Sequence, residues 1–286
     1  MMDGAFPTTQ DDSTDPASTG GAGFATPREF GAFNWVGLKT LYMREVRRFM
    51  KVGTQTLLAP VVSALLFMVI FKLAFPGRGD VNGVPFGDFI APGIVMMAIL
   101  NNAFQNSSSS MTIAKVQGNT VDFLMPPLSA LELTVGFLAG AATRGILVGA
   151  VTMVAIGLMG AADISIHSIP AVIYYSVIAS FFMAAVGLLG GIWAEKFDHL
   201  AAITNFVILP LSMLSGTFYP ISVFVEPFQT LSHFNPFFHL IDGFRYAFTG
   251  AVEGELLVGA AVSFGVTLAL SVTCWLVLRS GYRLKA

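Results

Sequence analysis

The chain has 286 residues, of which 55% are hydrophobic and only 11% charged, with a formal net charge of −2. An ordinary soluble domain carries roughly 25% charged residues, and the mean hydropathy of +0.73 points to a membrane instead. The single cysteine, Cys274, lies inside an apolar run, which excludes a disulfide framework.

Residues 1–32 are rich in Gly, Ser, Thr, Pro and Asp and lack the apolar core of a signal peptide. They offer too little apolar surface to offset the entropy of ordering, and are read as a disordered cytoplasmic tail. Residues 33–286 then form the membrane domain. Its first element, 33–52, places Trp35, Leu38, Leu41, Tyr42, Val46, Phe49 and Met50 at helical spacing, with Lys39, Arg44, Arg47, Arg48 and Lys51 filling the rest. This predicts an amphipathic helix lying in the inner membrane interface.

A helix needs about 20 apolar residues to cross the hydrocarbon core. Six segments meet or approach that length: 55–75, a span from Phe89 onward, 131–159, 170–193, 201–219 and 256–278. None shows the period-two alternation of a membrane β-barrel. The expectation is an all-α membrane protein with six transmembrane helices. Lysine and arginine set the orientation. With the N-terminus inside, the inner side collects Arg28, Lys39, Arg44, Arg47, Arg48, Lys51, Lys115, Lys196, Arg279, Arg283 and Lys285. The outer side keeps Arg78 and Arg245, so both termini are expected in the cytoplasm.

Two features break the apolar pattern. The inner half of the second span holds Asn101, Asn102, Gln105, Asn106 and four consecutive serines, 107–110. Polar side chains at membrane depth need partners or water. They either join helices or line a hydrated path. Arg144 lies near the middle of the third span, and an intramembrane charge is a functional hypothesis by default. Its nearest carboxylate on that span, Glu132, is about 18 Å away along a helix, so its partner must come from another segment or from backbone carbonyls. The GxxxG steps at Gly136/Gly140 and Gly145/Gly149, with Gly187, Gly190 and Gly191 on the fourth span, predict close helix contacts.

No GxxxxGK[ST] loop, HExxH pair, metal-spaced Cys/His cluster or GxSxG elbow occurs in the sequence. It therefore predicts no catalytic site, no metal site and no nucleic-acid partner. The inner loop 114–132 mixes Asn119 and Asp122 with Val121, Phe123, Leu124 and Met125 before Pro126 and Pro127. Exposed apolar residues in a short loop suggest docking onto a partner, unless Phe123 and Leu124 rest on the membrane. On the outer side, Pro220, Pro227 and Pro236 cut the segment 215–250 into pieces too short to cross. A re-entrant pair of short helices before the last span is expected. His239, Asp242 and Arg245 follow at three-residue spacing, and a local Asp242–Arg245 ion pair accounts for them without chemistry.

These residues carry a resemblance. Pro236-Phe237, His239 and, after five further residues, Arg245 resemble the signature of the type-2 ABC transporter permeases, the membrane subunits of exporters for drugs, polysaccharides and lipid-linked substrates. "NFVILPLSMLSGTFYPIS", "FIAPGIVMM" and "NSSSSMTIAKVQGNTVDFLMPPLSALEL" are similar to the same family, so that the likeness covers about residues 33–286. One departure is Glu226 before Pro227, where many relatives read Leu-Pro.

The resemblance implies a non-catalytic permease in a bacterial inner membrane that binds no cofactor itself. ATP and Mg would belong to a separate ABC ATPase. Two ATPases, a second permease copy and membrane lipids would be its partners. Asn119, Val121, Asp122, Phe123 and Leu124 would form the coupling helix, and 33–52 the connecting helix. Asn101, Asn102, Gln105, Asn106 and Arg144 would lie along the pathway or in the bundle interior, and Pro236, His239, Asp242 and Arg245 in an outer re-entrant gate. The implied function is ATP-driven export of a lipid, glycolipid or amphiphilic drug by alternating access. The alternatives are polysaccharide export and an ion-coupled secondary transporter, although no inverted repeat is evident.

Overall fold

The computed structural model describes residues 33–75, 79–81 and 83–283, so the tail expected at 1–32 lies outside the described residues. Those residues are helical, without a named strand; one isolated bridge joins Val81 and Val84. The helices in chain order are α1 (Trp35–Lys51), α2 (Gly53–Ala74), α3 (Phe86–Val116), α4 (Val121–Leu124), α5 (Ala130–Leu158) and α6 (Ile169–Trp193). They continue as α7 (Phe197–Ile203), a π-helical turn at Thr204–Ile208, α8 (Leu209–Met213), α9 (Phe228–Phe234), α10 (Pro236–Thr249) and α11 (Leu256–Ser280). Among the described residues, α2, α3, α5, α6 and α11 are long and apolar enough to cross a membrane.

The fifth expected span takes a different form from a continuous helix over 201–219. The helical run Phe197–Met213 covers 17 residues. That is about 25 Å at 1.5 Å per residue, short of a hydrocarbon core of about 30 Å. The cause is local. Pro210 has no N–H to give to the preceding turn, and the backbone widens into the π turn just before it. Gly216 then takes φ +72, a left-handed turn that ends the run.

Helix α3 is the centre of the bundle. Its 31 residues measure about 46 Å, longer than the hydrocarbon core is thick, so α3 either tilts or extends beyond it. It is buried along most of its length, against α5 and α6 above all. The glycines permit this. A Cβ at Gly187 would lie 2.5 Å from the Phe104 carbonyl oxygen, and one at Gly191 would lie 2.8 Å from that of Ser108. On α5 the two GxxxG steps serve two neighbours. Gly136 and Gly140 face Leu41 and Glu45 of α1, whereas Gly145 and Gly149 face Ile99 of α3.

The start of α5 anchors the start of α1. Ser129 and Glu132 form a capping box, and Glu132 Oε1 also accepts the Asn34 backbone N–H. Asn34 in turn caps α1 by accepting the Gly37 N–H at 2.9 Å. One core cluster joins the N-terminal half of α3 to α6 and α10. A second joins α1, the C-terminal end of α3, α5, α6 and α11.

Candidate functional site

A cavity of about 700 Å³ lies between α2, α3, α5 and the α8 end of the interrupted run. Asn101, Asn102 and Gln105 of α3 line it, with Ser63 and Gln55 of α2. Its apolar wall includes Phe67, Met97, Leu209, Met213 and Phe218. Two arginines complete it, Arg48 from α1 and Arg144 from α5. Among the described residues lining it there is no Asp, Glu, Lys or His.

The polar stretch of α3 divides by helical phase. Asn101 and Gln105, four residues apart, line the cavity and are partly or fully exposed. Asn106 does not line it: it is fully buried, and both its backbone and side-chain oxygens accept from Arg48 Nη2, at 2.7 and 3.0 Å. Ser107 and Ser108 turn back onto carbonyls of the preceding turn, Ser108 at 2.7 Å from Phe104 O. Helix joining and cavity lining thus overlap in one stretch: Asn106 and Ser110 bond α1, Asn101 and Gln105 line the cavity, and Asn102 and Ser109 do both.

Arg144 finds its partner on another segment. Its Nη2 donates to Asn102 Oδ1 at 3.1 Å, and Asn102 is oriented for this by donating its own Nδ2 to Ala98 O at 3.0 Å. Nothing else among the described residues bonds the guanidinium, and Nε is buried without an acceptor. Arg48 is the opposite case. Glu45, fully buried on α1, accepts from Arg48 Nη2 at 3.1 Å and Nε at 3.3 Å, and from Ser110 Oγ at 2.7 Å.

Sequence reasoning missed Glu45 and turned Arg48 outward with the other cations. The signal was present: Glu45 is the one acid in 33–52, and it sits at four-residue spacing between Leu41 and Phe49, on the buried stripe.

The segment from 215 to 255 is tied to α3 through Arg245, which is 2% exposed. Its Nη2 donates to Gly216 O at 2.6 Å and its Nε to Phe89 O at 3.1 Å. The guanidinium lies 3.8 Å from the centre of the Phe89 ring, a cation–π contact. Its ionic partner is Glu253, at 3.7 Å, rather than the expected Asp242. Asp242 instead accepts the backbone N–H groups of Glu253 and Gly254, both at 3.0 Å. The loop after α10 folds back, which puts Glu253 closer to the guanidinium than the residue one turn away.

Burial pushes the Glu253 carboxyl up, against the downward pull of Arg245 and of the Ile221 N–H that it accepts at 2.8 Å. His239 Nε2 bonds His233 O at 2.9 Å. Pro236 opens α10 where a missing N–H costs nothing. The neighbouring Asn235 caps α10 and donates to Leu211 O at 2.6 Å, linking it to α8.

The loop between α3 and α5 corrects one expectation. Phe123 is not exposed: it is 2% accessible and packs edge-on against Phe137 of α5, with ring centres 5.4 Å apart. Four residues make only one turn, so when Phe123 faces inward Val121, Leu124 and Met125 face outward. Asn119 and Asp122 are exposed beside them.

Five helices are long and apolar enough to cross a membrane, and a cavity with a polar, cationic side lies between three of them, α2, α3 and α5. The family model described as "ABC-2 type transporter" matches residues 36–249. The chain is 34% identical over 253 residues to the inner membrane transport permease YadH of Escherichia coli K12, covering 88% of this chain and 98% of that protein. It is 28% identical over 251 residues to nodulation protein J of Sinorhizobium fredii, covering 85% and 87%. The chain belongs to the ABC-2 type transporter family and is a transport permease.

Proposed function

We propose that the chain is the membrane permease of an ATP-driven exporter in a bacterial inner membrane, moving an amphiphilic substrate by alternating access. The cavity carries this reading: about 700 Å³ with amide groups on one side and an apolar wall on the other suits a substrate with unlike ends. Two copies of the chain pair with two ATPase subunits, which supply ATP and Mg. Counting Phe197–Met213 together with the turn that follows it gives six spans, with both termini in the cytoplasm. Helices α9 and α10 form the outer re-entrant pair, held shut on α3 by Arg245. In this scheme α4 is the coupling helix: Phe123 clamps it to α5, so that movement of the docked ATPase reaches the spans through a rigid contact.

The test follows from the two faces of α4. Leu124→Glu with Met125→Glu places charge on the exposed face and leaves Phe123 seated. The expected result is loss of ATPase association and of ATP-dependent transport, with an unchanged melting temperature. ATPase association as strong as in the unsubstituted chain would remove α4 from the coupling role. Phe123→Glu is unsuitable for this purpose, because it would bury a charge against Phe137 and unfold the contact.

A further inference from the structure

We infer that the cavity is built for an acidic amphiphile, with Arg144 as the countercharge of a phosphate, sulfate or carboxylate head and the apolar wall as the seat of its tail. This rests on the permease reading above and specifies its substrate class. The charges around the cavity do not balance. Two guanidinium groups line the cavity, and no carboxylate does so among the described residues. Arg48 is neutralised from behind by Glu45, leaving one uncompensated cation. Arg144 has a single neutral acceptor, Asn102 Oδ1, for its five N–H donors. An intramembrane charge without an ionic partner is costly, and a guanidinium is shaped to receive two oxygens of one acid at once.

The surroundings complete the match. Asn101, Gln105 and Ser63 are further hydrogen-bonding groups on the same lining, suited to the remaining oxygens of such a head group. Phe67, Met97, Met213 and Phe218 offer an apolar surface to a tail. A cationic or uncharged amphiphile of the same length would leave Arg144 unpaired and lose the main contact.

The full-length chain in nanodiscs of phosphatidylcholine provides the test, with radiolabelled dodecyl phosphate as the probe and binding to empty nanodiscs subtracted. Unlabelled dodecyl phosphate is expected to compete at least about tenfold better than dodecanol, dodecyltrimethylammonium or inorganic phosphate. That margin is what one charge-assisted hydrogen-bonded contact supplies. Arg144→Gln should weaken binding on the order of tenfold to a hundredfold, and Arg144→Lys by less.

Should Arg144→Gln fail to fold, Ser63→Trp decides the matter, since it fills the cavity from α2 and leaves Arg144 in place; it too should weaken binding. Equal competition by dodecanol or by the ammonium compound would overturn the proposal, as would unchanged binding in a folded Arg144→Gln or in Ser63→Trp. Competition by inorganic phosphate as strong as by dodecyl phosphate would overturn the amphiphile part, leaving a free-anion site. Binding in nanodiscs involves no ATPase, so such a failure leaves the exporter reading intact. Loss of ATPase association with binding preserved would sink the exporter reading alone.

Discussion

Arg245→Met is expected to lower stability by about 3–5 kcal/mol, the usual cost of removing one member of a buried ion pair. The guanidinium is almost wholly buried and holds Phe89 O, Gly216 O and Glu253 at once. Without it the largely buried Glu253 carboxylate lacks its counterion, and two carbonyls lose a donor. The segment 215–235 should then come away from α3. Thermal unfolding in detergent, followed by static light scattering, reads the first effect, and protease sensitivity of residues 215–235 reads the second. The double variant Arg245→Met with Glu253→Gln should recover part of the loss, because the stranded charge is gone. A melting temperature within about 1 °C of the unsubstituted chain would contradict the role given to Arg245, since a loss of even 1 kcal/mol shifts the midpoint by more.

The second large effect is expected at the other end of α3. Glu45→Ala removes the acceptor of both Arg48 and Ser110. It leaves Arg48 as a second uncompensated cation at the cavity, and opens a gap where Gly140 meets the Glu45 side chain. A hydrogen bond to a charged group contributes about 1.5–3 kcal/mol, so the loss should approach the upper end once the cavity left behind is included. Helix α1 would be held to α5 by Leu41, by the Tyr42–Thr143 hydrogen bond and by the Asn34–Glu132 contact. Hydrogen exchange of α1 amides is the direct measurement. Faster exchange confined to α1 is the expected pattern, and protection equal to that of the unsubstituted chain would show that the Glu45–Arg48–Ser110 group holds nothing.

These two sites also mark where the sequence was and was not legible. The helices α2, α3, α5, α6 and α11 follow from apolar runs of sufficient length, because an apolar solvent makes length and composition decisive. The Pro236 start of α10 was legible for a similar reason, since proline removes a donor and a first helical turn does not need one. Partners across space were not. Arg245 and Asp242 sit one turn apart, yet the loop after α10 returns Glu253 to the guanidinium, and spacing along one helix does not encode that return. Phe123 reads as exposed in a short loop because a single turn has too few residues to show which face is apolar; only Phe137 of α5 decides it. The interruption at Thr204–Ile208 is similar. Pro210 signals a break, but not that the run Phe197–Met213 falls short of a full crossing.

The polar stretch of α3 was half legible. Its residues were recognised as out of place in lipid, and two explanations stood open. The structure pairs Asn106 with Arg48 and Asn102 with Arg144, turns Ser107 and Ser108 onto carbonyls of their own helix, and places Asn101, Asn102 and Gln105 on the cavity lining. The glycines of α5 were legible as packing residues, though their two neighbours, α1 and α3, were not.

As proposed above, this chain works as the permease half of an ATP-driven machine. The most direct test is the composition and activity of the complex purified through an affinity tag on this chain from its own membrane. The expected result is a particle whose native mass holds two copies of this chain and two ATPase subunits, with vanadate-sensitive ATP hydrolysis. A folded chain that purifies without any ATPase subunit, while transport into vesicles follows an ion gradient and ignores ATP, would contradict it.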